Sequence, residues 1–567
     1  MLADVADARD VKFTYPNKDL LSYIFDDPPV APDTPLFIDA DNLDSPEGTL
    51  TYGQSKSLAQ KIAFGLRERG LQDGDVTLVF SPNSNLYPSV IFGIICAGAI
   101  FTGANPSYLP DELLHQVTHS KAKFLVVDAL LLPMAKKVCA QAGIPDDRIL
   151  TFKPVPGHPG ASIQDLAKCG KELQWKRITD PKVLADKTVI LLYSSGTTGK
   201  PKGVELTHSN VVSNTHQTQF VRDQGDAYLK SIGEEPLQGP FVGHLPMFHA
   251  YGLSNSCCAA FRTGHCFIVT RKFEIGQMLE LIQRFKIQAL ATVPPVITLL
   301  AKHTLVDNYD LSSLRSIGSG AAPLGQETQE LLRKRIRESA KRAGKEAKPC
   351  RFQQGWGMSE LCCTGTSFTA GDDDYEGSVG RLVPGLEAKL VDDEGKVVTK
   401  AGERGEFCLR GPNIMKGYLN APEATRETVD SEGWLHTGDI AICSEDGRRW
   451  WIVDRKKELI KYKGLQVAPA ELESLLLSHD HIADVCVVGV PFEDTEAPRA
   501  YVVKSSPSLS EQDVKTFVEG KAARYKWLRG GVIFIDAIPK SASGKILRRE
   551  LRTKAQQEIL AAQKAKL

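Results

Sequence analysis

The run Tyr193-Ser-Ser-Gly-Thr-Thr-Gly-Lys-Pro-Lys-Gly203 has the makings of a phosphate cradle. Gly196, Gly199 and Gly203 let successive N–H groups turn inward, Ser194, Ser195, Thr197 and Thr198 add hydroxyl donors, and Lys200 and Lys202 add charge. It is not a Walker loop, because Pro201 follows Lys200 and Ser194 stands where the first glycine would be. A flexible linker shares the glycines and hydroxyls, but this run sits directly behind Thr188-Val-Ile-Leu-Leu-Tyr193, whose apolar composition predicts a buried strand. Leu245-Pro-Met-Phe-His-Ala-Tyr-Gly-Leu253 suits an apolar pocket wall with a polar gate at His249, although a lone histidine is more often structural. Ser316-Ile-Gly-Ser-Gly-Ala-Ala-Pro323 puts small residues where a flat ligand can approach the backbone, and Pro323 at the third glycine position excludes the dinucleotide fingerprint. Gln353-Gln-Gly-Trp-Gly-Met-Ser-Glu360 supplies an aromatic face, a hydroxyl and a carboxylate. An ATP site needs that set, for adenine stacking, a phosphate donor and a hard oxygen ligand for Mg²⁺. Taken singly, the segment reads equally well as a turn with a core tryptophan.

The elements that would carry these groups alternate. Asp75–Phe80, Lys123–Asp128, Thr188–Tyr193, Cys266–Thr270 and Ile287–Thr292 are predicted strands, and Gln54–Arg69 and Ile275–Phe285 are predicted amphipathic helices. The alternation predicts an α/β chain with largely parallel sheets covered by helices and ligands outside the carboxyl ends of the strands. Val90–Phe101, the longest apolar run, reads as a buried helix too short to span a membrane. Asp392–Gly395 and Ser444–Gly447 read as turns inside a more β-rich section over roughly 376–454.

The chain has 567 residues, more than one ordinary domain, with 42% hydrophobic and 24% charged residues. Lys plus Arg and Asp plus Glu are both 69, so nothing in the overall charge favours nucleic acid or an anionic membrane as a partner. The charge is uneven, with 20 basic against 14 acidic residues from Arg455 onward, and such a part could close over a polyphosphate. The twelve cysteines show no Cys-x-x-Cys spacing, which argues against zinc and a disulfide framework. The acidic start lacks a secretory pattern. The closing Ala565-Lys566-Leu567 is a near match to the Ser-Lys-Leu peroxisomal address, so a peroxisomal import receptor is an expected partner, with the cytoplasm as the alternative location.

Tyr193–Gly203, Leu245–Leu253, Gln354–Glu360, Gly433-Trp-Leu-His-Thr-Gly-Asp439, Asp454-Arg455 through Val467-Ala-Pro-Ala-Glu-Leu-Glu473, and Pro539-Lys-Ser-Ala-Ser-Gly-Lys545 together resemble, in order, the motifs of the acyl-adenylate-forming enzymes. The resemblance is nearest to the 4-coumarate:CoA ligase-like branch and covers about residues 35–552. It implies an AMP-binding N-terminal domain over 1–454, with a β-rich subdomain, and a small mobile α+β domain over 455–567 hinged at Lys457. It implies an acid:CoA ligase, which joins a carboxylic acid to AMP with loss of pyrophosphate and then transfers the acyl group to CoA; a luciferase-like monooxygenase or a carrier-loading enzyme is the alternative. Carried over by position, Ser194, Ser195, Gly196, Thr197, Thr198, Gly199 and Lys202 hold the β- and γ-phosphates, Ser359 the α-phosphate, and Glu360 a Mg²⁺ ion. Gly320, Ala321, Gln354, Gly355, Trp356 and Gly357 surround the nucleotide, with Trp356 stacking on adenine where the family usually has tyrosine. Asp439 and Arg455 meet the ribose. Lys545 serves adenylation and Lys461 the thioester step; Tyr251, Ala322, Gly357, Cys363 and Thr364 wall the acid pocket, with His249 near the CoA channel. Cys363-Thr364 replaces the Pro-Val pair usual in plant coumarate ligases, which leaves aryl, phenylpropanoid and medium-chain fatty acids open.

Overall fold

The computed structural model describes residues 6–7, 13–168, 170–194, 201–368, 372, 377–463, 465–493, 495–541 and 544–564. Its largest sheet has seven strands in the order Gly417–Tyr418, Lys202–Thr207, Thr188–Ser194, Ile100–Ala104, Val76–Phe80, Ala122–Val127 and Ile149–Thr151. The inner strands run parallel and are mostly apolar and buried, as strands covered on both faces should be. Thr188–Ser194 and Lys202–Thr207 pair antiparallel with Ser194 opposite Lys202, so the phosphate-cradle run forms the connection of a hairpin. Residues 195–200 themselves lie outside the described residues.

Two smaller sheets complete the mostly parallel part. Phe241–Gly243, Phe267–Val269 and Pro35–Asp39 run parallel, with Thr49–Thr51 added antiparallel. Ala289–Thr292, Ser316–Ser319 and Arg351–Gln354 form a parallel trio. The helix Tyr52–Glu68 begins at Thr51, whose hydroxyl accepts from the Gln54 amide while the Gln54 side chain accepts from the Thr51 amide, a reciprocal cap that stops fraying. The apolar run Val90–Phe101 corrects its sequence reading as one helix. It comprises the end of the helix Tyr87–Cys96, a turn at Gly98 with φ +80°, and the start of the strand Ile100–Ala104. Helix and strand are both buried there, so the apolar pattern is unbroken across a boundary that the glycine makes.

The β-rich section is a five-stranded antiparallel sheet in the order Ala6–Asp7, Glu387–Val391, Gly405–Arg410, Leu435–Cys443 and Trp450–Arg455. The expected division between 454 and 455 falls one residue before the end of its last strand. After a turn at 456–458 come the hairpin Ile460–Tyr462/Leu465–Val467 and a sheet of Ile482–Phe492, Thr495–Lys504 and Gly531–Phe534, packed by the helices Pro469–Leu477, Glu511–Glu519 and Arg548–Lys564. This C-terminal part has its own apolar core around Ile460, Leu472, Leu476, Val487, Val502 and Val514.

It is tied to the rest by specific contacts. Asp454 accepts from the Ala470 amide at 3.0 Å, capping the Pro469–Leu477 helix from across the turn. At the other end of that helix, the Lys302 ammonium donates to the carbonyls of Leu477 and Ile482 at 2.9 and 3.0 Å. Gly544 seats its Cα against Val293 and Pro295, where an added Cβ would stand 3.2 Å from Val293 Cγ2.

Candidate active site

Between the two parts lies a cavity of about 1680 Å³, walled by the carboxyl ends of the parallel strands on one side and by the 540–548 segment on the other. His249, Gly320 and Gly355 each follow the carboxyl end of a strand, where a parallel sheet leaves room for ligand. The segment Lys540–Ile546 doubles back through a bridge between its ends, with Ser541 accepting from Gly544 and Lys545 and its amide donating to the Lys545 carbonyl. Gly544, at φ +80°, makes the reversal that aims Lys545 into the cavity.

Burial, reinforced by the Arg455 charge, pushes the Lys545 ammonium down to about 8, while Asp439, Glu458 and Glu360 pull the other way. Asp439 is itself buried, and burial raises its carboxyl against the opposing effects of Arg455, the Trp356 hydrogen bond and Lys545. Trp356 Nε1 donates to Asp439 Oδ2 at 2.8 Å, and Arg455 Nε lies 3.6 Å from Oδ1. The Trp356 ring leans on Phe407, with centroids 5.1 Å apart. Trp356 therefore braces Asp439 as well as presenting a flat face to the cavity. Glu360 is buried and accepts from the Tyr418 hydroxyl at 2.9 Å, and Lys202 sits over the same Tyr418 ring at 5.0 Å.

His249 is held at about 4 by burial and by the Lys545 charge, so it is neutral at physiological pH. Its Nδ1 accepts from the Tyr251 amide, which leaves the ring proton on Nε2. Gly357 crosses the Cys363 carbonyl so closely that a Cβ would stand 1.6 Å from it, so no larger residue fits there. Asn214 pins Thr364 by accepting from its amide and donating to its carbonyl. Burial lifts the Cys363 thiol to about 11, so it lines the pocket as an uncharged group.

A profile of the AMP-binding enzyme family matches residues 26–419, and one of the AMP-binding enzyme C-terminal domain matches residues 471–545. The chain belongs to the AMP-binding enzyme family. A phenylacetyl-CoA ligase of Aspergillus niger, epaB, is 37% identical over 96% of this chain and 98% of its own length. The 4-coumarate–CoA ligase 1 of Petroselinum crispum is 40% identical over 89% of each chain. Among solved structures, ATP-bound MatB from Rhodopseudomonas palustris superposes with a TM-score of 0.78 at 26% identity, covering 94% of this chain and 98% of that one. An anthranilate CoA ligase in complex with anthranoyl-AMP shares the fold at a TM-score of 0.81 and 24% identity, covering 98% and 100%.

Within this AMP-binding enzyme the cavity gathers Lys202, His249, Tyr251, Gly320, Ala321, Ala322, Gln354, Gly355, Trp356, Gly357, Ser359, Glu360, Cys363, Thr364, Asp439, Arg455, Lys457 and Lys545. Gln354 lines the cavity with its side-chain amide held, accepting from the Leu324 N–H and donating to the Leu324 carbonyl. Lys461 is not among the lining residues; it is exposed on the Ile460–Tyr462 strand. Ser195, Gly196, Thr197, Thr198, Gly199, Ser543 and Ala565–Leu567 lie outside the described residues, as does the side chain of Ser194.

Sequence reasoning missed a buried charge network beside the turn. Arg548 pairs with Glu473 and, at 3.0 Å, with Glu458, and its charge opposes the burial that still lifts Asp454 to about 6. The one available signal was the spacing of Arg548, three residues beyond Lys545 at the start of a helix.

Proposed function

We propose that the protein is an acid:CoA ligase that works in two half-reactions with one lysine for each. The observation that carries the proposal is the convergence of Lys545, Asp439, Glu360 and neutral His249 on one cavity while Lys461 stays outside it.

In the first half-reaction a carboxylate oxygen attacks the α-phosphorus of ATP, forming the acyl–O–P bond as the bond to pyrophosphate breaks. Negative charge builds on the oxygens of both groups, and the Lys545 ammonium stands where it can bridge them. Asp439, braced by Trp356 and Arg455, accepts from the ribose hydroxyls, and Ser359 faces the α-phosphate. Magnesium typically binds one or two carboxylates together with substrate phosphates, and the buried Glu360, which accepts from the Tyr418 hydroxyl, fits that pattern. When bound, the ion would neutralise phosphate charge.

In the second half-reaction the CoA sulfur attacks the acyl carbon and AMP leaves with the bonding electrons. Lys461 must approach the cavity for this, so the C-terminal part turns about Lys457, an exposed residue in the 456–458 turn. Aryl acids, phenylpropanoids and medium-chain fatty acids are the proposed substrate range. CoA-dependent AMP release over a panel of these acids tests the reading, with CoA omitted as the control. Turnover that ignores CoA for every acid overturns it. The proposed peroxisomal location is tested by imaging a fluorescent fusion with and without residues 565–567.

A further inference from the structure

The same cavity extends away from Lys545 toward a partly exposed arginine that the adenylation chemistry does not use. Arg222 lies on the helix His208–Ser231 and lines the cavity together with Val221, Phe248 and Tyr251. Its guanidinium stands 5.8 Å from the centroid of Phe241, and Nη1 is 3.2 Å from His265 Nδ1. Burial holds the His265 imidazole at about 4, so it is neutral and Nδ1 accepts. Among the described residues that is the guanidinium's one hydrogen bond, and no carboxylate forms an ion pair with it. Asp226 and Asp223 act on it only through space. Asn255, on the π-helical turn Leu253–Cys258, lines the cavity too, and its side-chain amide makes no hydrogen bond to a described residue.

The topology sets Arg222 at the end remote from the reacting groups. Phe241 opens the strand Phe241–Gly243, and His265 precedes the strand Phe267–Val269 that runs parallel to it. His249 follows the carboxyl end of the first strand. The guanidinium therefore lies toward the amino ends of these strands, away from the carboxyl ends where the reacting groups gather. A guanidinium has five fixed donors, and His265 meets one of them. An acid with an oxygen at its far end would meet others.

We propose that Arg222, with Asn255, is a second recognition point that selects acids carrying an oxygen acceptor at the end remote from the activated carboxylate. The inference rests on the acid:CoA ligase reading. A hydroxyl and a second carboxylate share the acceptor chemistry. Asp226 lines the same end and can accept from a hydroxyl but repels a carboxylate, so the hydroxyl is the expected form.

The test compares octanoate with 8-hydroxyoctanoate and octanedioate, and phenylacetate with its 4-hydroxy and 4-carboxy derivatives. The readout is acid-dependent pyrophosphate exchange without CoA, taken as kcat/KM ratios. The wild-type enzyme should favour an oxygenated acid over its parent by about tenfold, the worth of a charge-assisted hydrogen bond. Arg222→Met should abolish that ratio while leaving the parent acid's rate near wild type, Arg222→Lys should keep part of it, and Asn255→Ala should lower it. Exchange with the parent acid verifies that each variant is folded; if Arg222→Met is insoluble, Asn255→Ala carries the test. A wild-type preference for the parent acids, or an oxygen preference that survives Arg222→Met, overturns the proposal. If the dioic acids show the Arg222-dependent gain, the tail recognised is a carboxylate. Exchange without any CoA thioester overturns the ligase reading alone and leaves the ratio to judge Arg222; no exchange with any acid overturns both.

Discussion

Lys545 carries two predictions because its position and its ionisation are both set by the cavity. Removing a preorganised donor at developing charge typically costs ~2.7–4 kcal/mol, so Lys545→Ala should slow pyrophosphate exchange by ~10²–10³ while nucleotide binding persists. Near-normal exchange in that variant would remove Lys545 from the chemistry. The proposed role needs the ammonium form, and burial beside Arg455 lowers it to about 8, so the group is charged below that pH and loses its proton as pH rises through it. The kcat/KM for exchange should therefore fall toward tenfold per pH unit above about 8, and a flat profile to pH 9.5 would contradict the assignment. Lys545 and Asp439 were legible because short motifs surround them. The indole bond from Trp356 to Asp439 was not, since the two residues are 83 apart in sequence and only the fold sets them 2.8 Å from each other. Arg222 was hidden for a different reason: arginine and Asp226 one helical turn apart read as a solvated pair.

Helix ends, more than helix bodies, decide how the C-terminal part docks. Lys302 completes the helix Pro294–Lys302 and places its charge on the closing carbonyl of the Pro469–Leu477 helix, a favourable position for a cation. The contact is half-buried, so it is worth about 1 kcal/mol, several-fold in the population of the docked arrangement. Lys302→Met should reduce pyrophosphate exchange about 3- to 10-fold, whereas thioester formation from supplied acyl-adenylate should be unchanged or faster. Equal losses in both assays would count against a docking role. Strand and helix interiors were visible in the sequence, since Val76–Phe80 and Ile275–Phe285 match their apolar periods closely. Contacts such as that of Lys302 were not visible, because a lysine closing a helix looks like any solvated surface charge.

At the scale of the whole molecule, Gly325 and Ser474 face each other across the two parts, and a Cβ added to Gly325 would lie 3.7 Å from Ser474 Cβ. That separation matches a disulfide. Oxidised Gly325→Cys/Ser474→Cys should keep acid-dependent pyrophosphate exchange and lose CoA thioester formation, with reductant restoring it. Thioester formation undiminished in the verified disulfide would show that the second half-reaction needs no rearrangement. Sequence motifs supplied both lysines and the turn ahead of them, but which lysine occupies the cavity follows only from how the two cores meet.

The seating of Gly544 against Val293 and Pro295 has a consequence for rate measurements. With the 540–546 reversal on one side of the cavity, the proposed turn about Lys457 would admit the thiol only after pyrophosphate has departed and the reversal has withdrawn. Varying CoA against ATP should then give parallel double-reciprocal lines, the signature of a product leaving before the last reactant engages.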